Sequence, residues 1–345
     1  MPEAETSHVA EQQRGRTTIQ RLFCRKTIIV AALGLAILVA AAVAYKLRGV
    51  LVPAAEALVR GIPVATPQAL MLTDLPVAQG TRISLFNGVD LNDWDGWLGY
   101  PDPAEIYRSF HSADPIGVGG IGKDFKVVVE DGEPAIYVSG KPWGSLTHRG
   151  DYGDYHLSLQ FKWGKNSYYP MLRDPLDSGL LYHSGGPQGG VLGTWMRSIE
   201  FDVLHGQVGR LVPIGRSLSF KTTVGRDPDL FSQRRRYMIG GREVDVTGLF
   251  TGLVSWFAQN ATDQEKSVGD WNTLDLYVLG DRAIHVVNGV PVLEAWNICN
   301  AEHVFGHCEP LTHGRIQLQA EGSETLFRHV TLEPIKSLPR VTLAP

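Results

Sequence analysis

Two hydrophobic textures divide the chain. Ile28 to Tyr45 reads IIVAALGLAILVAAAVAY, an unbroken apolar run with no charge and no polar face. From residue 81 onward, apolar and polar positions alternate in short segments between Gly, Asn and Asp clusters. Examples are FKVVVEDG, AIYVSG, YHLSLQFKWG, SGLLYHSGG, SIEFDVLHG, NTLDLYVLGDRAIHVVNGVPVLEAW and GRIQLQAEG. A period of two predicts strands with one buried and one polar face. LDLYVLGDRAIHVVNG reads as a strand, a Gly-Asp turn and a second strand, and Asn288-Gly289 marks the next tight turn. No long amphipathic helix pattern follows residue 80. The expectation is an all-β sandwich with enough strands for a jelly roll.

The apolar run predicts one N-terminal transmembrane helix. Its eighteen residues would span about 27 Å, just enough for a hydrocarbon core. Arg21, Arg25 and Lys26 precede it, and Lys46 and Arg48 follow. Basic flanks before the run keep the short head cytoplasmic and put the remainder outside the cytoplasmic membrane. Ala42-Val43-Ala44 offers a signal-peptidase site, so a removed signal peptide competes with a retained signal anchor. The long head and long apolar run favour the anchor. The expected organisation is a basic head over 1–27, an anchor over 28–45, a Pro-punctuated linker over 46–80, a β domain over 81–337 and a tail over 338–345. Within the β domain, 99–123 reads as a long loop and 206–268 as a longer insertion, and excursions of this kind commonly build or cover a site. The Arg234-Arg235-Arg236 run in that insertion reads more simply as a solvated turn than as a phosphate site.

Charge sharpens this division. Residues 1–48 carry seven Lys/Arg against three Asp/Glu, a charge of +4, so the rest of a chain with a formal net charge of −4 carries −8. The mild acidity and the absence of a long basic stretch argue against nucleic acid as a partner. Three cysteines are too few for a disulfide scaffold. Cys24 lies before the apolar run. Cys299 and Cys308 flank NAEHVFGH and in an oxidising compartment would close a small loop. Two free thiols, or a Cys/His metal site with His303 and His307, are the alternatives, and the spacing matches no zinc module.

No nucleophile elbow, phosphate loop, dinucleotide fingerprint or HExxH motif is present. A site must therefore be assembled on a sheet face, and strand parity nominates its members. In SIEFDVLHG, Glu200 and Asp202 share a face opposite Phe201 and Val203. In DSGLLYHSG, Asp177, Gly179, Leu181 and His183 share one, and in RIQLQAEG so do Gln317, Gln319 and Glu321. His285 points opposite Ile284 and Val286. A polar, concave face of this kind suits sugars, whose hydroxyls need donors and acceptors. Trp143, Trp195, Trp256, Trp271 and Trp296 are available for stacking. Solvent faces of antiparallel sheets are routinely polar, so parity alone reaches only a β-sandwich with a carbohydrate-compatible face.

Read together, the segments resemble a known family. LFNGVDLNDW at 85–94 is similar to the opening of the 3-keto-disaccharide hydrolase domains. LTHRGDYGDYHLSLQFKW, DSGLLYHSG at 177–185 and SIEFDVLHG at 198–206 resemble successive strands of the same family. GDWNTLDLYVLGDRAIHVVNGVPV at 269–292 and GRIQLQAEGSETLFRHVTLEPI at 314–335 resemble its late hairpin and closing segment. The matches run in order across residues 83–335. This chain departs from the family pattern at Asp177 (usually Asn), His183 (usually Arg), Asp202 (usually Gln), His205 (usually Asp), Glu321 (frequently His) and His329 (usually Asn).

The resemblance implies a concanavalin/laminin-G-like jelly roll and cleavage of glycosides already oxidised to a ketone at carbon 3. Such a ketone acidifies the proton on carbon 2, so a base can form an enolate and the group on carbon 1 can leave. Expected roles are base for Glu200 or Asp202, acid or enolate stabiliser for His183 or His285, and hydroxyl contacts for Asp177, Gln319 and Glu321, with Trp271 stacking on substrate. No cofactor is certain. A divalent ion held by carboxylate and His is compatible with the chemistry, but no ligand spacing establishes it. The alternative is a tethered, non-catalytic carbohydrate-binding module, discriminated by whether acids and histidines converge in one pocket. A third reading is a structural envelope protein using the apolar Val254–Phe257 segment for assembly.

Overall fold

The computed structural model describes residues 61–228, 234–248, 257–301 and 308–345. Two antiparallel sheets face one another. The front sheet has seven strands in the order Arg210–Ile214, Arg197–Leu204, Asp177–Gly185, Arg315–Ala320, Gly144–His148, Trp94–Leu98, Gly117–Val118. The back sheet has twelve, and its spine is Leu218–Arg226, Val290–Asn300, Arg282–Val287, Asn272–Leu279, Tyr155–Ser167, Ser323–Pro334, Glu133–Val138, Phe125–Glu130. Among the described residues the one regular helical element is a single 3-10 turn, Pro103–Tyr107. This is the all-β jelly-roll sandwich the alternation predicts.

Period-two patterning explains the layers directly. Along Tyr155–Ser167, Tyr155, Leu157, Leu159, Phe161 and Trp163 are buried, while His156, Ser158, Gln160 and Lys162 stand on the outer face. In the front sheet, Leu180, Tyr182, Phe201, Val203, Ile316 and Leu318 point inward and meet Phe161, Phe220, Leu276 and Phe327 of the back sheet. Burying one such aromatic or leucine side chain stabilises the fold by roughly 1.5–3 kcal/mol. The sheets are therefore held by an apolar seam with few alternatives in register.

The structure corrects several boundaries. The 206–268 stretch is not an excursion from the scaffold. It supplies an edge strand of the front sheet, Arg210–Ile214, and three strands of the back sheet, Leu218–Arg226, Arg235–Tyr237 and Arg242–Thr247. Nor is the Arg run a solvated turn, because Arg235–Tyr237 pairs with Val224–Arg226 and Arg235 is buried. The 99–123 loop contains the 3-10 turn and the short Gly117–Val118 strand. Linker and tail are joined: Leu70–Thr73 pairs with Arg340–Leu343 in a small third sheet. Leu72, Leu338 and Val341 pack against Ile284, Val286 and Ile335.

Cys299 and Cys308 form a disulfide, with their Cα atoms 5.4 Å apart. His303 and His307 lie outside the described residues, as do the 1–27 head, the 28–45 apolar run, Trp256 and most of the Val254–Phe257 segment. No described helix is long and apolar enough to cross a membrane.

Candidate active site

A pocket of about 240 Å³ opens on the front sheet, on the face turned away from the core. Its floor is built by register. Arg210 lies opposite Asp202, and Asp202 opposite Gly179. One row along, Val212 lies opposite Glu200, Glu200 opposite Leu181, and Leu181 opposite Gln317. Because Phe201, Leu180 and Leu318 go into the core, their neighbours come out together. Asp177, Glu200, Asp202, Arg210, Gln319 and Glu321 converge on the one cavity. Gly179 keeps the floor open. A Cβ there would lie 2.4 Å from Glu200 Oε1 and 2.7 Å from Gln319 Oε1, too close for either side chain to hold its place.

The walls are apolar and come from the loops and from the edge strand Arg210–Ile214. Ile106, Tyr107, Leu192, Trp195, Val212 and Ile214 line them. Asp102 caps the 3-10 turn by accepting from the Ala104 N–H at 3.0 Å. Buried Glu105 pins the loop by accepting from the Ser112 N–H at 2.9 Å and pairing with Arg108. Trp143 lies behind the wall, stacked on Trp195 with centroids 5.9 Å apart and meeting the edge of Tyr107 at 6.1 Å. Trp195 donates its indole N–H to the Gly144 carbonyl at 3.1 Å, which fixes the ring.

The charge balance is lopsided. Arg210 Nε donates to Asp202 Oδ2 at 2.6 Å, and a second guanidinium nitrogen contacts the same oxygen. Phe257 covers the guanidinium 4.8 Å away. Among the described residues, Asp177, Glu200 and Glu321 form no ion pair. Burial pushes the Glu200 carboxyl well above the usual range, with repulsion from Asp202 and Asp177 adding to it and Arg210 opposing. Asp177 and Glu321 are raised well above it for the same reasons. Asp202 is raised by burial but held down by its guanidinium partner. One cation cannot neutralise four carboxyls in a partly desolvated cleft, so ionising them all together is disfavoured. Asp202 Oδ1 and Gln319 Oε1 are buried acceptors with no hydrogen bond inside the protein.

Three expected residues lie elsewhere. His183 is displaced by a β-bulge. Between Leu181 and Ser184 the strand holds one residue more than its partner between Gln317 and Arg315, and His183 takes φ +50° there. The parity count therefore fails at that residue, which sits buried outside the pocket beside Gly314. Burial lowers its pKa to about 4. For His285 the alternation holds but the faces are reversed. Ile284 and Val286 are covered by the Leu72–Val341 layer, so His285 points into the sandwich core. It stacks on Phe201 at 4.1 Å, contacts the Tyr182 hydroxyl at 3.2 Å and contacts the Gly209 carbonyl at 3.1 Å. Burial pushes its pKa down to about 3. That neutral ring supports the backbone next to Arg210 and has no access to a ligand. Trp271 lies on the outer face of the back sheet, donating to Asp131 Oδ2 at 2.8 Å beneath the Arg328 guanidinium.

Sequence reasoning missed Arg210, because it fell in the stretch read as an insertion, and Ile106 and Tyr107, which lie in an irregular loop. A larger groove of about 540 Å³ crosses the back sheet's outer face. Its charges are satisfied internally, by His156 with Asp275, Arg82 with Glu333 and His329 with Glu133, so it lacks the strained electrostatics of the front pocket. Among the described residues, no group of three His, Cys, Asp or Glu side chains has the arrangement of a metal-ligand set.

A family model described as the 3-keto-alpha-glucoside-1,2-lyase-like domain matches residues 81–333. Among solved structures, the chain is similar to a candidate glycosyl hydrolase from Parabacteroides distasonis (17% identity, 74% of this chain, 94% of that chain, TM-score 0.41). It is also similar to a Bacillus subtilis protein of galectin-like fold (10% identity, 77% and 100% coverage, TM-score 0.40). A third is the Bacillus licheniformis β-glucanase (13% identity, 75% and 100% coverage, TM-score 0.35). No protein with a curated description matches.

Two outcomes follow from the pocket's geometry and charge. The Gly179→Ala variant is expected to fold, because the atoms it meets are movable side-chain ends, and to lose ligand binding in titration calorimetry as Glu200 and Gln319 are pushed apart. Stability should also report the crowded carboxyls. An unfolded carboxyl releases its proton near pH 4, whereas Glu321 in the native pocket keeps its own to higher pH, so its contribution is present below about pH 4 and is lost as pH rises through the native value. Glu321→Gln should therefore unfold at higher urea concentration than the parent at pH 8, with the difference shrinking toward pH 4. A variant less stable than the parent at pH 8 would contradict this.

Proposed function

The chain belongs to the 3-keto-alpha-glucoside-1,2-lyase-like domain family, and from that premise we propose that it cleaves 3-keto glycosides by removing the proton on carbon 2 and expelling the group on carbon 1. The supporting observation is convergence. Four carboxyls, a guanidinium and an amide meet in one walled pocket, an arrangement suited to proton transfer more than to passive binding of a sugar face.

Glu200 is the base. It stands beside the Gly179 gap, and its burial makes its ionised form strongly proton-seeking. Arg210 faces the carbon 3 oxygen and stabilises the enolate as charge moves onto it, a role for which neither His183 nor His285 is placed. Asp202 orients Arg210 through their ion pair. Glu321, whose carboxyl is pushed up by burial and by repulsion from Asp177 and Glu200, protonates the departing oxygen. Gln319 and Asp177 contact hydroxyl or other polar groups of the sugar, and Trp195 and Tyr107 close over it. Addition of water across the resulting double bond completes net hydrolysis, and release without addition gives a lyase product. This path avoids the oxocarbenium-like route and the fixed carboxylate separation of ordinary glycosidases.

The 28–45 run is read as a signal anchor that holds the β domain outside the cytoplasmic membrane. The Cys299–Cys308 disulfide supports an oxidising location.

Incubation with a panel of 3-keto glucosides and their unoxidised parents tests the activity. Aglycone release is expected from the keto forms alone. Glu200→Gln should lower the rate by on the order of 100-fold or more while folding is retained. Near-parent rates in that variant, or equal release from unoxidised parents, would sink the assignment. For the tether, the intact chain should stay with membranes through alkaline carbonate washing. A soluble product with a new N-terminus just after Ala44 would replace the anchor by a cleaved signal.

A further inference from the structure

The carboxyls of the pocket outnumber its cations, and the excess has no internal answer. Arg210 is committed to Asp202 through two guanidinium nitrogens. Among the described residues, no other basic side chain pairs with Asp177, Glu200 or Glu321. The unused buried polar atoms are acceptors as well. Gln319 and Asp202 are 1% and 2% exposed, and both Gln319 Oε1 and Asp202 Oδ1 go without a hydrogen bond in the protein. A ligand must therefore bring donors. A neutral sugar brings hydroxyl donors but leaves the charge uncompensated, and a uronate or sugar phosphate adds to the repulsion. An ammonium brings three donors and the missing positive charge in one compact group. The aromatic rings of Tyr107 and Trp195 in the wall are compatible with a cation.

We propose that the pocket selects a sugar carrying a basic amino group, a cationic amino glycoside whose ammonium is seated at Asp177. This rests on the front pocket being the sugar site, as in the reading above, but not on the eliminative chemistry. Asp177 suits the part by position. It lies at the start of its strand opposite Leu204, at the half-exposed end of the carboxyl row, where the neighbouring Asp202 carboxylate adds negative charge and no basic side chain pairs with it. A cation there pulls protons off the crowded cluster, so binding at neutral pH releases protons to the buffer.

The test uses the full chain and unreactive, unoxidised ligands, so that binding is read without turnover. Methyl glycosides of 2-amino- and 6-amino-glucose are titrated calorimetrically against their N-acetylated forms, methyl glucoside and methyl glucuronide. At pH 7 at least one amino glycoside should bind on the order of 10–100-fold more tightly than its N-acetylated and neutral counterparts, and the glucuronide least. The observed heat should change with the ionisation enthalpy of the buffer, reporting proton release. Asp177→Asn, checked for folding by its urea transition, should shrink the amino-to-neutral preference to about twofold or less. Amino glycosides that bind no better than neutral ones, or a preference that survives Asp177→Asn, would overturn the proposal. So would Asp177-dependent binding of Ca²⁺ or Mg²⁺ without an amino-sugar preference, which would make the cluster a metal site. If amino glycosides bind as expected while no 3-keto glycoside is cleaved, the cation preference stands and the eliminative mechanism falls.

Discussion

The ion pair between Arg210 and Asp202 sets the terms for the rest of the pocket. Both side chains are largely removed from water, at 13% and 3% exposure, so neither charge would be tolerated there alone. The pair neutralises itself and in doing so withholds the guanidinium from Asp177, Glu200 and Glu321. Those three then face one another across a cleft with apolar walls. Their high proton affinity is the electrostatic remainder of that pairing. The support for the pair lies on the other side of the sheet. The buried His285 ring contacts the Gly209 carbonyl, and the Gly209 N–H donates to the Asp202 carbonyl at 2.9 Å. The core of the sandwich thus positions a charge on its surface.

The pocket is a joint product of the sheet and the loops. The sheet contributes polar side chains whose spacing is set by register and pleat. The loops contribute Ile106, Tyr107, Leu192 and Trp195, which lower the local dielectric without adding charge. Either part alone would be ordinary: a polar sheet face in open water, or an apolar fold with nothing to protonate. Together they place ionisable groups where water screens them poorly, the condition under which a carboxyl can serve as an acid near neutrality.

How much of this was legible in the sequence depended on which physical rule governed each residue. Alternation governs Glu200, Asp202, Gln319 and Asp177, so a count of two located them on the correct face without any structure. The same count fails at His183, where a bulge adds a residue and a strand read by parity cannot show it. At His285 the count is right and the inference from polarity is wrong, because both faces of that strand are covered, one by the opposite sheet and one by the Leu70–Thr73 and Arg340–Leu343 pair. Trp271 belongs to the outer face of the back sheet, and nothing in its local pattern distinguishes one sheet's exterior from the other's. Arg210 opens a strand of only five residues, whose alternation Pro213 and the glycines around it mask. Long-range pairing decides such cases, and local pattern carries little information about it.

The place of the Arg315–Ala320 strand has a consequence for how the molecule comes into being. It sits in the middle of the front sheet, hydrogen-bonded on one side to Asp177–Gly185 and on the other to Gly144–His148, yet it follows both of them in the chain by a long separation. Until it emerges, the front sheet is two fragments with open edges, and the floor of the pocket lacks Gln319 and Glu321. A nascent chain therefore cannot settle into its final form piece by piece from the N-terminus. The front sheet closes only when this non-local strand pairs on both sides, so its scaffold and its chemistry are completed in one cooperative step.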